Sequence, residues 1–389
     1  MRRIVCLAAA LLMAVAGVAQ AAPEGAADLG PSAGGISSDN VEFISNIPIS
    51  VDGVGGRVIG NYFYTNDQNK VMIFDISDPL NPEMTGFVPM PQEVLYSRED
   101  LDGNGDILVV PNTVIPNEQE REAGKLIGAT YIIDVEDKTN PTILAELPGS
   151  AQHTMSCILK CKWAYGSDGN IIDLRDPAKP KLIEKKWGEG LPAQSGHDVT
   201  EVSNGRVLTS TQPMMLLDVR KPTAPKLLAS GMNLDGRFVH SNVWPQGGKD
   251  KFFLAGGETN NQVRCNERNG AFMTWDASKW KKTKTFTMID EYRMVNGTYV
   301  DGSPAVNAVG CSSHWLEAHP TFKDGGVVAA AFFEHGTRFL DISSKGQIEE
   351  IGWFMPHGGS TGASYWITDE IVYSVDYTRG IDILRFTDK

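Results

Sequence analysis

Residues 71–82 read VMIFDISDPLNP. A run of large apolar residues ends in Asp75, and a turn rich in Asp, Asn and Pro follows. An apolar run of this length is a buried strand. The Asp carboxylates accept nearby backbone N–H groups and Pro fixes φ, so the phrase is a strand feeding a turn. It recurs as YIIDVEDKTNP (131–141), NIIDLRDPAKP (170–180) and MMLLDVRKPTAP (214–225). It decays in FMTWDASKWKKT (272–283) and RFLDISSKGQI (338–348), and a seventh copy, IDILRFTDK, ends the chain. The anchors are Asp75, Asp134, Asp173, Asp218, Asp276 and Asp341, with Arg385 in the last copy, at spacings of 39 to 65 residues. Six aspartates at one position of a repeat are turn architecture rather than six acid–base catalysts. Repeats of this length, made of short β-rich runs between turn residues, are propeller blades.

Working outward, each repeat supplies the other strands of a four-stranded sheet. HTMSCIL and KWAYG form a hairpin before the third anchor; HDVTEV and RVLTS, joined by Ser-Asn-Gly, form one before the fourth. No segment keeps a 3.6-residue apolar period over a helical length, so an almost helix-free chain is expected. VEFISNIPI (41–49) has no blade of its own, and the last blade stops after its third strand at Arg385-Phe386. An N-terminal strand completing that blade would pair both open edges. The expected fold is therefore all-β: a seven-bladed β-propeller over residues 41–389, closed by an N-terminal strand. The 389 residues would by themselves allow two or three domains; the repeat makes them one ring.

The first residues read as an address. Arg2 and Arg3 precede an apolar run from Ile4 to Val18, and Ala19-Gln20-Ala21 has the small-x-small form of a cleavage site. Residues 1–21 are expected to be a signal peptide and 22–40 a flexible leader, which places the protein in the periplasm or outside the cell. Beyond this start no apolar stretch is long enough to span a bilayer. The formal charge of −13 argues against nucleic acid, which needs a Lys/Arg-rich face. Export makes Cys157, Cys161, Cys265 and Cys311 disulfide candidates. Three pairings exist; Cys157–Cys161 with Cys265–Cys311 is preferred, and a C-x3-C metal site is the rival reading.

VMIFDISDP, YIIDVED, NIIDLRDP and the HDV that opens a first strand resemble the LVIVD-repeat proteins. The likeness runs over about residues 41–389, and the tail FFEHGTRFLDIS…DYTRGIDILRF is similar to secreted bacterial members. It implies an exported propeller and assigns no activity.

Chemistry points to the histidines. His153, His197, His240 and His319 fall at or near the start of the first strand in four consecutive blades, and His357 lies in the loop leading into the seventh. First strands line a propeller's channel, so these positions form an arc that can converge on a transition metal such as copper or zinc. The plainer alternative is a ring of solvated, structural histidines. Asp198, Glu258 and Glu317 are nearby carboxylates; His314 and His335 are placed on the same face. Trp244, Trp315 and Trp353 either wall a ligand site or pack in the core. The long connections 111–128, 258–271 and 287–313 emerge on the face from which the histidine-bearing strands start.

No nucleophile elbow, HExxH or P-loop is present. Three readings follow. The first is an exported monomeric propeller that binds a small molecule, metal or periplasmic protein on its looped face. The second is a metal-dependent oxidoreductase using the channel histidines, whose pattern is similar to the copper-holding selenium-binding protein/methanethiol oxidase propellers. The third is an accessory subunit of a periplasmic dehydrogenase.

Overall fold

The repeat phrase folds as its residues dictate. In five copies the anchor's Oδ1 accepts the backbone N–H two residues on: Ser77 on Asp75, Glu136 on Asp134, Arg175 on Asp173, Arg220 on Asp218 and Ser278 on Asp276, at 2.7–3.1 Å. These carboxylates are committed to turns. The computed structural model describes residues 34–49, 55–90, 95–97, 99–114, 128–150, 153–203, 205–232, 234, 237–258, 268–294 and 311–387. The signal-like segment 1–21, most of the leader and Cys265 lie outside them.

Seven antiparallel sheets follow one another along the chain, giving a seven-bladed β-propeller. Blade 4 shows the pattern: Val199–Ser203, Arg206–Thr209, Met215–Asp218 and Lys226–Ser230 pair in sequence order, innermost strand first. Among the described residues only Pro245–Gly248, Trp280–Thr283 and the turn Arg268–Gly270 are helical. Two connections are shorter than the sequence suggests. Ile107–Val114 carries blade 2's second strand into 111–128, and Thr287–Tyr292 is the outer strand of blade 5.

Apolar residues alternate onto both faces of each sheet, so every junction between blades buries a cluster. Between blades 4 and 5, Phe253 stacks on Trp275 with centroids 5.6 Å apart, and Phe286 meets Phe253 edge-on at 5.0 Å. Burying one such side chain stabilises by about 1.5–3 kcal/mol. Phe63 and Phe74 of blade 1 pack against Tyr373 and Ile383 of blade 7, so the first and last repeats share a core. Val41–Ile47 pairs antiparallel with Gly380–Phe386 as the outermost strand of the last sheet. Gly35–Ser37, within the stretch read as leader, pairs with Ile348–Pro356 as a fifth strand of blade 6. Cys157 and Cys161 form a disulfide across a turn in which Leu159, Lys160 and Cys161 all have positive φ. Cys311 is also disulfide-bonded.

Candidate metal centre

Strand register brings one position of five consecutive blades to the channel axis. In blade 4, Asp218 faces Arg206; three residues on, Thr209 faces Val199; His197 stands two residues before Val199. The same count leads from Asp173 to His153, from Asp276 to His240 and from Asp341 to His314. In blade 2 it leads from Asp134 past the Asp102–Val109 pair to Glu99. In blade 7 it falls on Gly362. Val54, its counterpart in blade 1, lies outside the described residues.

Glu99 sits at the centre of this arc, 3% exposed. His240 Nε2, His314 Nε2 and His197 Nε2 lie 2.8, 3.1 and 3.6 Å from its Oε1, and His153 Nε2 contacts its Oε2. Trp315 Nε1 donates to Oε1 at 3.1 Å. Successive imidazoles stand 4.9, 3.7 and 3.9 Å apart between centroids. Three ligand sets each keep their donor atoms within 4.8 Å: Glu99–His240–His314, Glu99–His153–His197 and His197–His240–Glu258. A tetrahedral ion with bonds of about 2.0–2.1 Å spreads its ligands roughly 3.3 Å apart, so the cluster can hold a metal. Both ring nitrogens of buried His197 and Nδ1 of buried His240 have no hydrogen-bond partner among the described residues. Such groups are costly to leave unsatisfied. Donor set and orphaned nitrogens both fit a borderline transition metal.

Charge in the ring is shared unevenly. Burial opposes the charge on Glu99, yet the surrounding imidazoles, His153 foremost, hold its carboxyl well below the usual range. Burial also opposes protonation of His153 and His314, but Glu99 outweighs it and raises both. Burial lowers His197, and it pushes His240 well down with help from His197 and His314. His314 Nδ1 lies 2.5 Å from the Gly362 carbonyl, which holds that N–H and leaves Nε2 for the ring, the arrangement metal-binding imidazoles use.

Two expected ligands are not in the ring. His319 is half-buried, five residues past the ring position; its Nδ1 contacts Thr321 Oγ1 at 2.7 Å and its Nε2 the Asp369 carbonyl at 2.9 Å. His357 is exposed in the turn before blade 7, where its carbonyl accepts from Arg379. The structure puts His314 and Glu99 in the arc instead. His314 is missed because Leu316–Ala318 is a three-residue strand and the HPTFK segment beyond it is not one. Counting back from the Asp341 anchor would have found it. Glu99 is hidden by an innermost strand broken into Leu95–Ser97 and Asp102–Gly103. Of the three tryptophans, Trp315 faces the ring, Trp244 packs in the blade 4–5 core and Trp353 lies against Arg338.

Blade 1, from Gly56–Ile59 to Glu83–Pro89, holds the intact phrase VMIFDISDPLNP. Residues 57–89 match the LVIVD repeat. No curated protein matches the chain significantly. Among solved structures, the N-terminal domain of Nup159 aligns with a TM-score of 0.52 at 12% identity, covering 90% of this chain and 96% of that one. A Saccharomyces cerevisiae complex of Dbp5 bound to Nup159, Gle1, IP6 and ADP gives a TM-score of 0.50 at 12% identity, covering 90% and 95%. At this identity the likeness is one of fold alone.

Two cavities flank the ring of this propeller. A pocket of about 430 Å³ lies at the starts of the innermost strands, lined by His153, His197, Ser167, Ser210, Thr211 and Phe238 among others. At this end the ladders of blades 2 and 5 close with the pairings Leu95–Val114 and Phe238–Glu258. A second chamber, of about 360 Å³, lies further along the same strands. Three residues past the ring position stand Arg57, Asp102, Thr200, Val243, Glu317 and Tyr365, all lining it. Arg57 bridges Asp102 at 3.0 Å and Asp100 at 3.7 Å. Burial raises Asp100 well above the usual range, Asp198 to about 6 and Glu317 to about 7.

Proposed function

We propose that this is an exported LVIVD-repeat propeller that binds a copper or zinc ion in its channel and presents it to a small molecule. The observation that carries the reading is the convergence of Glu99, His153, His197, His240 and His314 from one register position of five consecutive blades. Structural histidines have no reason to point five blades' worth of donors at one another. The adjoining pocket shares His153 and His197 with the ring, so a ligand there would meet the metal directly. Its lining of hydroxyl groups with Phe238 at the lip suits a small polar organic molecule with an apolar end.

Sharing His153 and His197 between pocket and ring also favours a metal-dependent oxidoreductase as a second reading. The bound ion would supply one-electron or Lewis-acid chemistry. The chain's own part is to hold it on imidazoles, seat the ligand against them and shield the ring, three of whose histidines are almost fully buried. No helix among the described residues is long and apolar enough to cross a membrane, in keeping with export.

The test is metal analysis of protein purified from the periplasm and reconstituted with Cu²⁺ or Zn²⁺, with His240→Ala as control. About one ion per chain, lost in the variant, supports the reading. Less than roughly 0.1 per chain overturns it, since a site of this donor set fills when its metal is supplied. An N-terminus beginning at Ala22 in the secreted protein tests export; an intact Met1 refutes it.

A further inference from the structure

The chamber beyond the ring is chemically unlike it. Its lining offers the carboxylates of Asp100, Asp102, Asp198, Glu201 and Glu317 against the cations of Arg57 and Lys160, and no imidazole. The arginine is already engaged by Asp102 and by Oδ1 of Asp100. Two side chains, each 3% exposed, keep an oxygen with no hydrogen-bond partner: Oδ2 of Asp100 and Oδ1 of Asn242. The Asn242 amide is fixed by its Nδ2, which donates to Ser210 Oγ at 2.8 Å. Asp198 stands beside it, 3.4 Å from the same Nδ2, and accepts from Thr200 at 2.8 Å. Both oxygens are acceptors, so what completes them is a donor or a cation and not an anion; Arg57 Nε, also without a hydrogen bond, is offset by Asp102 Oδ1 at 3.0 Å.

We infer that this chamber binds a hard divalent cation of the Ca²⁺ type through the oxygens of Asp100, Asp198 and Asn242. Carboxylate and amide oxygens suit hard cations, which take six to eight oxygen ligands and keep water where protein ligands run short. At roughly 30 Å³ of liquid volume per water, a space of about 360 Å³ holds an ion with part of its hydration shell. The two tiers thus divide by ligand type: imidazole nitrogens above for a borderline metal, oxygens below for a hard one. The lower site needs nothing from the upper and stands whether or not the ring is filled.

Tb³⁺, an oxygen-seeking Ca²⁺ surrogate, is the probe, because Trp315 lines the chamber and can sensitise its emission. Chelator-stripped full-length protein is titrated with Tb³⁺, and Ca²⁺ is then added as competitor. The expected result is one Tb³⁺ per chain, displaced by Ca²⁺ and bound at least tenfold more weakly by Asp100→Asn and by Asp198→Asn. His240→Ala keeps Tb³⁺ affinity within twofold while losing its zinc or copper, so the two tiers are scored separately on the same samples. Trp315→Phe removes the emission but leaves the heat of Ca²⁺ binding in calorimetry. Equal Tb³⁺ affinity in both aspartate variants overturns the inference. So does a matching loss in His240→Ala, or a wild type that shows neither emission nor Ca²⁺ heat. Should both aspartate variants fail to fold by circular dichroism, Asn242→Ala, which removes the third oxygen ligand, takes their place under the same criterion.

Discussion

Replacing Glu99 by Gln in metal-free protein separates the ring's electrostatics from its packing. Glu99 is almost fully buried and receives His240 at 2.8 Å, His314 at 3.1 Å and Trp315 at 3.1 Å. His153 and His314 are raised by it, so their stabilisation is complete below the unfolded imidazole value of about 6.5 and fades as pH rises through their folded values. Glu99 is lowered, so its own contribution is present above the unfolded carboxylate value of about 4.3 and is lost as pH falls below it. Both conditions hold between about pH 5 and 6.5. There the substitution strands buried imidazolium charge, which typically costs about 3–5 kcal/mol. Near pH 8.5 the imidazoles can shed their protons, and the loss shrinks towards that of neutral hydrogen bonds, about 0.5–1.5 kcal/mol each. Urea unfolding of chelator-treated wild type and variant at pH 5.5 and 8.5, followed by fluorescence and circular dichroism together, measures the difference. A cost that is equal at the two pH values, or larger at pH 8.5, refutes the account of a charge-held ring.

His314→Ala is expected to weaken Cu²⁺ or Zn²⁺ binding at least 100-fold, and His319→Ala by less than twofold, because only the first has a ring nitrogen facing Glu99; equilibrium dialysis compares them. Metal affinity should fall as pH drops through the folded values of His153 and His314, which Glu99 holds above the ordinary imidazole value of about 6.5, since binding must displace their protons; flat affinity from pH 5 to 8 would contradict this. Gly256→Ala places a Cβ 2.6 Å from the His314 carbonyl and 2.7 Å from Ser313 Oγ, so it should cost about 1–3 kcal/mol in urea unfolding and loosen metal binding with it. Cys157→Ser removes a cross-link over four residues, for which loop entropy gives roughly 2 kcal/mol; an unchanged unfolding midpoint would show that the turn holds itself.

The blades were legible because each is a local pattern. Apolar run, Asp and Asn-Pro turn lie within a dozen residues, and the same interactions recur wherever the phrase does, as the five Asp-to-N–H bonds show. Two of the ring's five donors were legible for the same reason: His153 and His197 precede regular first strands whose hairpins are plain in the sequence. His240 also stands in the arc, although a bulge between Val239 and Ser241 distorts its strand. Glu99 and His314 escaped because their innermost strands are broken or only three residues long, and short runs carry too little periodicity to fix a register. His319 took the place of His314 through the same five-residue ambiguity.

By itself the sequence determined the blade unit, its sevenfold repetition and the kind of side chain that lines the axis, since all three rest on neighbours along the chain. Only tertiary structure decided which donors meet. Glu99 and His314 are 215 residues apart and touch because pairing registers set in separate blades bring them to one level of a shared axis. The same registers place the orphaned oxygens of Asp100 and Asn242 in one chamber. A one-residue slip in any blade would turn its donor to the other face of the strand, so the site is a property of the ring and of no segment within it.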